Sequence, residues 1–191
     1  MKLIFATHNI NKLREIKSII KSNIELVSLD DVAFFDEIPE PFDTLHENAL
    51  AKARHIYNRF CINCFADDTG LEVEALNGKP GVMSARYAGE SKSDKENIKK
   101  LINELSGKAN RNARFRTVIS LILDNKEYYF EGIVNGRIID IEKGSNGFGY
   151  DPVFIPNGFN KTFAEMTMEE KNLLSHRSAA VKKLVDFLNS L

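Results

Sequence analysis

Glycines, an aromatic ring and a carboxylate follow one another in Gly144-Ser145-Asn146-Gly147-Phe148-Gly149-Tyr150-Asp151-Pro152, and Lys171, His176 and Arg177 come later in the chain. Glycines let the backbone approach a ligand closely, a ring offers a stacking face, a carboxylate accepts hydrogen bonds, and cations attract an anion. The combination reads as a nucleotide pocket. Thr7-His8-Asn9-Ile10-Asn11-Lys12 adds a hydroxyl, amides and a lysine able to wrap polyphosphate oxygens, although Thr or Asn here can equally cap a helix. Ala66-Asp67-Asp68-Thr69-Gly70 places two adjacent carboxylates after an apolar run, at what reads as the end of a strand. Hard oxygen ligands suit Mg²⁺, which uses one or two protein carboxylates beside substrate phosphates and water. The plainer reading is a pair of turn acids, since Asp and Gly favour turns. Glu40, between Pro39 and Pro41, offers a second metal ligand or a solvated loop carboxylate, and Lys52 is either a ligand or an ordinary helix lysine. Pro80 to Gly89 brackets Arg86 and Tyr87 with glycines and reads as a second ligand-facing wall.

The elements that must position these residues follow from hydrophobic spacing. Lys2 to Ala6 predicts a strand, and Asn9 to Lys21 a helix, because Leu13, Ile16 and Ile20 recur at helical intervals. Ile24 to Leu29 predicts another strand, and Asp30 to Asp43 an irregular loop. Thr44-Leu45-His46-Glu47 is a capping-box pattern opening a helix to about Arg59, with Leu45, Ala49, Ala53, Ile56 and Phe60 on its apolar side. Ser93-Asp94-Lys95-Glu96 repeats the device for a helix ending near Ser106 and Gly107. Arg114 to Leu123 and Lys126 to Val134 predict a hairpin turning at Asp124 and Asn125. Thr167 to Leu174 suits a short helix, and Ser175 can cap a last one buried through Ala180, Val181, Leu184, Val185 and Leu188. His176 and Arg177 then stand in its first turn, where cations oppose the helix dipole, a broken rule that hints at function. Strands and helices interleave irregularly, so the fold class expected is mixed α/β.

The 191 residues suffice for a sizeable core and suit a single domain, 1–191, subdivided at most into lobes. With 26 basic and 27 acidic residues and a net charge of −1, the chain lacks the footprint that a nucleic-acid polymer requires. Its hydrophobic fraction of 43% argues against disorder. No apolar run reaches the roughly 18 residues of a membrane helix. The N-terminal apolar run is also shorter than the roughly 7–15 residues of a signal-peptide core, so no membrane and a cytoplasmic location are expected. Cys61 and Cys64 form a lone C-x-x-C; its segment to Ala66 reads as a buried strand with two small buried thiols rather than a redox or zinc pair.

Taken in order, Thr7 to Lys12, Glu47-Asn48-Ala49 with Lys52-Ala53, Ala66 to Leu71, Pro80 to Gly89, Gly147 to Pro152, and Glu170-Lys171 leading to Ser175-His176-Arg177 resemble the inosine triphosphate pyrophosphatase family, the dITP/XTP pyrophosphatases. The resemblance covers nearly the whole chain. It departs at His8, where many members carry glycine, which bears on the loop conformation more than on activity. The resemblance implies an elongated mixed twisted sheet flanked by helices, two lobes with a substrate cleft between them, and a homodimer. It implies Mg²⁺-dependent hydrolysis of deaminated purine nucleoside triphosphates (ITP, dITP, XTP) to the monophosphate and pyrophosphate. In that reading Thr7, His8, Asn9, Ile10, Asn11, Lys12 and Lys52 bind the triphosphate, Glu40 and Asp68 hold Mg²⁺, and Asp68 is also the catalytic base. Thr69 contacts the nucleotide, Phe148 stacks on the purine, and Gly149, Tyr150 and Asp151 line the base and sugar pocket. Lys171 reaches the ligand, His176 and Arg177 recognise the base near its 6-keto group, and Asp67 supports the site. Two alternatives differ in what they expect of the chain: a Maf-like pyrophosphatase would prefer modified pyrimidine nucleotides, and a nucleotide sensor would bind without turnover.

Overall fold

Apolar runs without alternation need both faces covered, and the computed structural model, which describes residues 1–20 and 24–191, covers them. In β1 (Lys2–Phe5), Leu3 and Phe5 enter one core while Ile4 and the following Ala6 enter another. The strand period of two makes this division, and a strand buried on both faces reads as a continuous hydrophobic run. Helix α1 (Ile10–Ile19) links β1 to the parallel strand β2 (Glu25–Val27), and α2 (Leu45–Phe60) leads to β3 (Cys64–Val73), which also runs parallel to β1. Strand β4 (Pro80–Gly81) pairs antiparallel with β3, and α3 (Asp94–Glu104) precedes the hairpin β5 (Asn112–Leu123) and β6 (Lys126–Ile138). Strand β7 (Phe154–Pro156) pairs antiparallel with β6, and the helices α4 (Met168–Asn172) and α5 (His176–Asn189) complete the chain. The sheet order is β2-β1-β3-β5-β6-β7, with β4 beside β3.

The chain divides into two compact units, each assembled from separate segments. The first comprises Met1–Asp68, Thr117–Gly132 and Arg177–Leu191. One of its cores joins Leu3, Phe5 and Phe65 to Ile16 of α1 and to Ala180, Val181, Leu184 and Leu188 of α5. Its other core joins Ile4, Cys64 and Ala66 to Ala53 and Ile56 of α2 and to Phe34 and Ile38 of the loop before it. The second unit, Thr69–Arg116 with Ile133–His176, has its own core of Leu71, Ile98, Leu101, Phe115, Phe154, Phe163 and neighbours.

The expected elements form, β6 running past the expected Val134 to Ile138, with four further differences. Helix α1 ends at Ile19, and the Lys21 end expected for it lies outside the described residues. The second strand is confined to Glu25–Val27 because a 3-10 turn begins at Asp30, anchored by Asp31 Oδ2 accepting from Ser28 N and Oγ. Cys61 is not in a strand: at φ 52 it ends α2, its N–H donating to Tyr57 O, and it is exposed. Only Cys64 is buried, its thiol on Ala53 O at 3.2 Å.

The fourth difference concerns the paired acids, which lie inside β3 rather than at its end. Gly70, for which a turn is one of two readings, is extended, and a Cβ there would sit 2.6 Å from Gly81 O, so glycine permits β4 to approach. The hairpin turns at Asp124 (φ 48) and Asn125 (φ 64), the left-handed pair that a two-residue loop demands.

Candidate active site

Adjacent residues on a strand point to opposite faces, so Asp67 and Asp68 of β3 meet different helices. Asp67 meets α1 and α5. Lys12 Nζ lies 3.1 Å from its Oδ1 and 3.0 Å from its Oδ2, and Arg177 Nε lies 3.5 Å from Oδ2. Asp68 meets α2, with Lys52 Nζ 3.7 Å from its Oδ1. Lys52 also donates to Glu40, and Arg177 to Glu15 of α1. Three cations thus face four carboxylates within the first unit. Arg177 is 1% exposed and Lys52 6%, a burial that ionised side chains tolerate only when paired.

This pairing separates the two aspartates. Burial is the largest influence on Asp67 and raises its pKa, but Lys12, Arg177 and Lys52 together outweigh it and hold the carboxyl well below the usual range. For Asp68 burial again dominates; Lys52 and Lys12 draw the pKa down, Glu40 and Asp67 push it up, and the result is raised. Burial is also the largest influence on each lysine. It keeps Lys12 below its ordinary value despite Asp67, whereas at Lys52 the carboxylates of Asp68, Glu40 and Asp67 overcome it and raise the pKa. Neighbouring carboxylates driven apart in this way are suited to different tasks, one a fixed charge and the other a proton acceptor.

The turn before α1 has a capping geometry. Asn9 Oδ1 accepts from Asn11 N and Lys12 N at 3.0 and 3.1 Å, and Asn9 N donates to Thr7 Oγ1 at 3.2 Å. The cap therefore engages two of the amides that could have met phosphate, and it directs the Lys12 side chain toward Asp67. Ile10 is 58% exposed. His8 turns toward the irregular loop, its Nε2–H donating to Asp36 O at 2.9 Å and its ring stacked on Phe34.

In the second unit the glycine-rich run closes on one carboxylate. Gly147 has φ 76, and a Cβ there would come within 2.0 Å of Asp151 Oδ2. That oxygen accepts from Phe148 N at 2.9 Å and from Lys171 Nζ at 2.6 Å, in a pair buried at 3% and 5% exposure. Lys171 Nζ lies 5.3 Å from the Phe148 ring centre, within cation–π range. Gly149 N donates to Asp94 Oδ2, and the buried Tyr150 donates its hydroxyl to Ser84 O. His176 is buried with its ring stacked on Phe115 at 4.7 Å, and Thr69 is half-buried.

In the first unit the fold thus gathers Lys12, Glu40, Lys52, Asp68 and Arg177 about Asp67, and in the second it gathers Phe148, Asp151 and Lys171. Sequence reasoning passed over Glu15, whose signal is an acid next to Ile16 on the covered side of α1. It gave no role to Asn48, a polar residue buried within the apolar stripe of α2.

Residues 3–187 match the model of the Ham1 family. The dITP/XTP pyrophosphatase of Flavobacterium johnsoniae is 50% identical over 190 residues, covering 100% of this chain and 99% of its own. That of Porphyromonas gingivalis is 53% identical, covering 98% and 97% respectively. Among solved structures, a HAM1 protein from Coxiella burnetii superimposes with a TM-score of 0.92 at 34% identity, covering 100% of both chains. The Staphylococcus aureus Ham1 protein gives 0.89 at 40% identity, covering 100% of this chain and 99% of its own. A family model spanning nearly the whole chain, with full-length relatives and matching folds, establishes that this chain belongs to the Ham1 family.

Proposed function

We propose that this chain is a Mg²⁺-dependent nucleoside triphosphate pyrophosphatase acting on the deaminated purine nucleotides ITP, dITP and XTP. It releases the monophosphate and pyrophosphate, works as a cytoplasmic homodimer of one folding unit (1–191), and clears such nucleotides from the pool. The relatives named dITP/XTP pyrophosphatases support the substrate class. The observation that carries the reading is the arrangement about β3: Asp67 paired with Lys12 and Arg177 on one face, and Asp68 on the other beside Lys52, which also holds Glu40.

Asp68 takes the proton as water adds to phosphorus and the bridging P–O bond breaks, the electron pair leaving with pyrophosphate. Lys12 and Lys52, with the turn from Thr7, take the phosphate charge. The donor set fits a divalent ion: Glu40 and Asp68 supply hard oxygens, and both already face one cation, the Lys52 ammonium. Held by Glu40 and Asp68, such an ion would supply charge neutralisation for the phosphates and Lewis acidity for the attacking water. Thr69 contacts the nucleotide, Phe148 stacks on the purine, Gly149 to Asp151 line its pocket, and Lys171 holds Asp151 in place. His176 and Arg177 read the 6-keto group. Arg177 has only donors, so an amino group at that position leaves one unmet, at a cost of about 1–3 kcal/mol.

Product analysis tests the reaction. ITP with Mg²⁺ is expected to give IMP and pyrophosphate in equal amounts, with turnover lost to a chelator; IDP and orthophosphate would contradict it.

A further inference from the structure

Glu40 has no helix or strand to hold it. From Ala33 to Thr44 the backbone belongs to neither, and the segment is largely exposed, yet Glu40 meets a buried lysine. Two side chains from outside the loop fasten it on either side of that residue. Asn48 of α2, 3% exposed, accepts from Phe42 N at 2.9 Å through Oδ1 and donates from Nδ2 to Phe42 O at 3.0 Å. Such a two-point match imitates the pairing of a strand and fixes the orientation of the Phe42 peptide as well as its position. On the other side, His8 Nε2–H holds the Asp36 carbonyl, and its ring lies 6.0 Å from that of Phe34, at 11°.

The spacing along α2 explains why the Asn48 contact reaches Glu40. Asn48 and Lys52 are one turn apart on the same face of the helix, a rise of about 6 Å. Two residues of extended chain, Glu40 to Phe42, cover about 6.6 Å. Pro39 and Pro41 enclose Glu40, and a residue preceding proline is confined to extended backbone. Holding Phe42 on Asn48 therefore delivers Glu40 to Lys52 through a stiff connection.

We propose that Asn48 is a positioning residue, with His8 closing the other side, and that the two set the carboxylate of Glu40 beside Lys52 and Asp68. Polar capture of the loop replaces the secondary structure that it lacks. For its kinetic arm the inference rests on the pyrophosphatase reading; its structural arm does not.

Hydrogen exchange of the metal-free protein, compared among the parent, Asn48→Ala and His8→Gly, reads the clamp directly. Asn48→Ala is expected to speed exchange at Phe42 by about tenfold or more, and His8→Gly to speed exchange around Asp36, while β3 stays protected. A double-mutant cycle on ITP hydrolysis reads the link to Glu40. Asn48→Ala is expected to lower kcat/KM by about tenfold when Glu40 is present and by less than about twofold in the Glu40→Gln background. An equal loss in both backgrounds, or unchanged exchange at Phe42, would overturn the proposal. If Asn48→Ala does not fold, Asn48→Ser, a smaller change at the same position, takes its place in both comparisons. A parent without ITP turnover would overturn the pyrophosphatase reading instead, and exchange alone would then decide the clamp.

Discussion

Two adjacent residues of one type behave differently because a strand turns them to opposite sides. Asp67 lies against Lys12 and Arg177, and removing its charge takes the paired carboxylate from the part-buried Lys12 and leaves the buried Arg177 to Glu15. Asp67→Asn is expected to destabilise the fold by about 3–5 kcal/mol. Because its folded pKa is depressed, its stabilisation is complete above the ordinary value of 3.8 and disappears as pH falls through the folded pKa. Asp68 is raised instead, so its charge is not what holds the fold together. Asp68→Asn is expected to keep the melting temperature near the parent's while lowering kcat by about 10²–10⁴-fold. Thermal melts and steady-state rates on the two variants check the contrast, and equal effects on stability would contradict it. The cysteines give a second test at this scale. Cys64 is buried, which pushes its thiol up to about 12, whereas Cys61 is exposed. A maleimide reagent near pH 8 is expected to label one thiol in the folded protein and two after denaturation.

At the scale of elements, helix starts were legible because capping is local chemistry: Asn9, Thr44, Ser93 and Thr167 cap helices through side-chain contacts within three residues. The hairpin was legible for the same reason at Asp124 and Asn125. The course of β3 was not. Its carboxylates looked like strand-ending acids because the charges that let them stay inside a strand come from Lys12, Lys52 and Arg177, distant in sequence. Glu15 was missed likewise, since its partner Arg177 is 162 residues away. The glycine-rich run shows both sides of this limit. Its composition announced a close backbone approach, but what it approaches, the Asp151 carboxylate, required the fold. Gly147→Ala is expected to displace Asp151 from Lys171 and to cost about 1–3 kcal/mol, with a raised KM for nucleotide. Calorimetry with kinetics checks this; unchanged values would contradict the role given to that turn.

For the molecule as a whole, the mixed α/β class was foreseen from the irregular interleaving of strands and helices. The two lobes came from the family resemblance alone, because hydrophobic spacing cannot reveal units assembled from separated segments, and β3, β5 and β6 each pass from one to the other. Such interleaving leaves neither unit a single continuous chain segment, and calorimetry is expected to record one unfolding transition. Two separable transitions would contradict a single folding unit. The central claim concerns which base the molecule accepts, and the most direct test is kcat/KM for ITP against ATP, measured with Mg²⁺ by pyrophosphate release in the parent and in Arg177→Ala. The expected result is a preference for ITP of at least about tenfold that shrinks toward equality in Arg177→Ala. Equal use of ATP by the parent, or a preference untouched by Arg177→Ala, would contradict the assignment of base recognition to that residue.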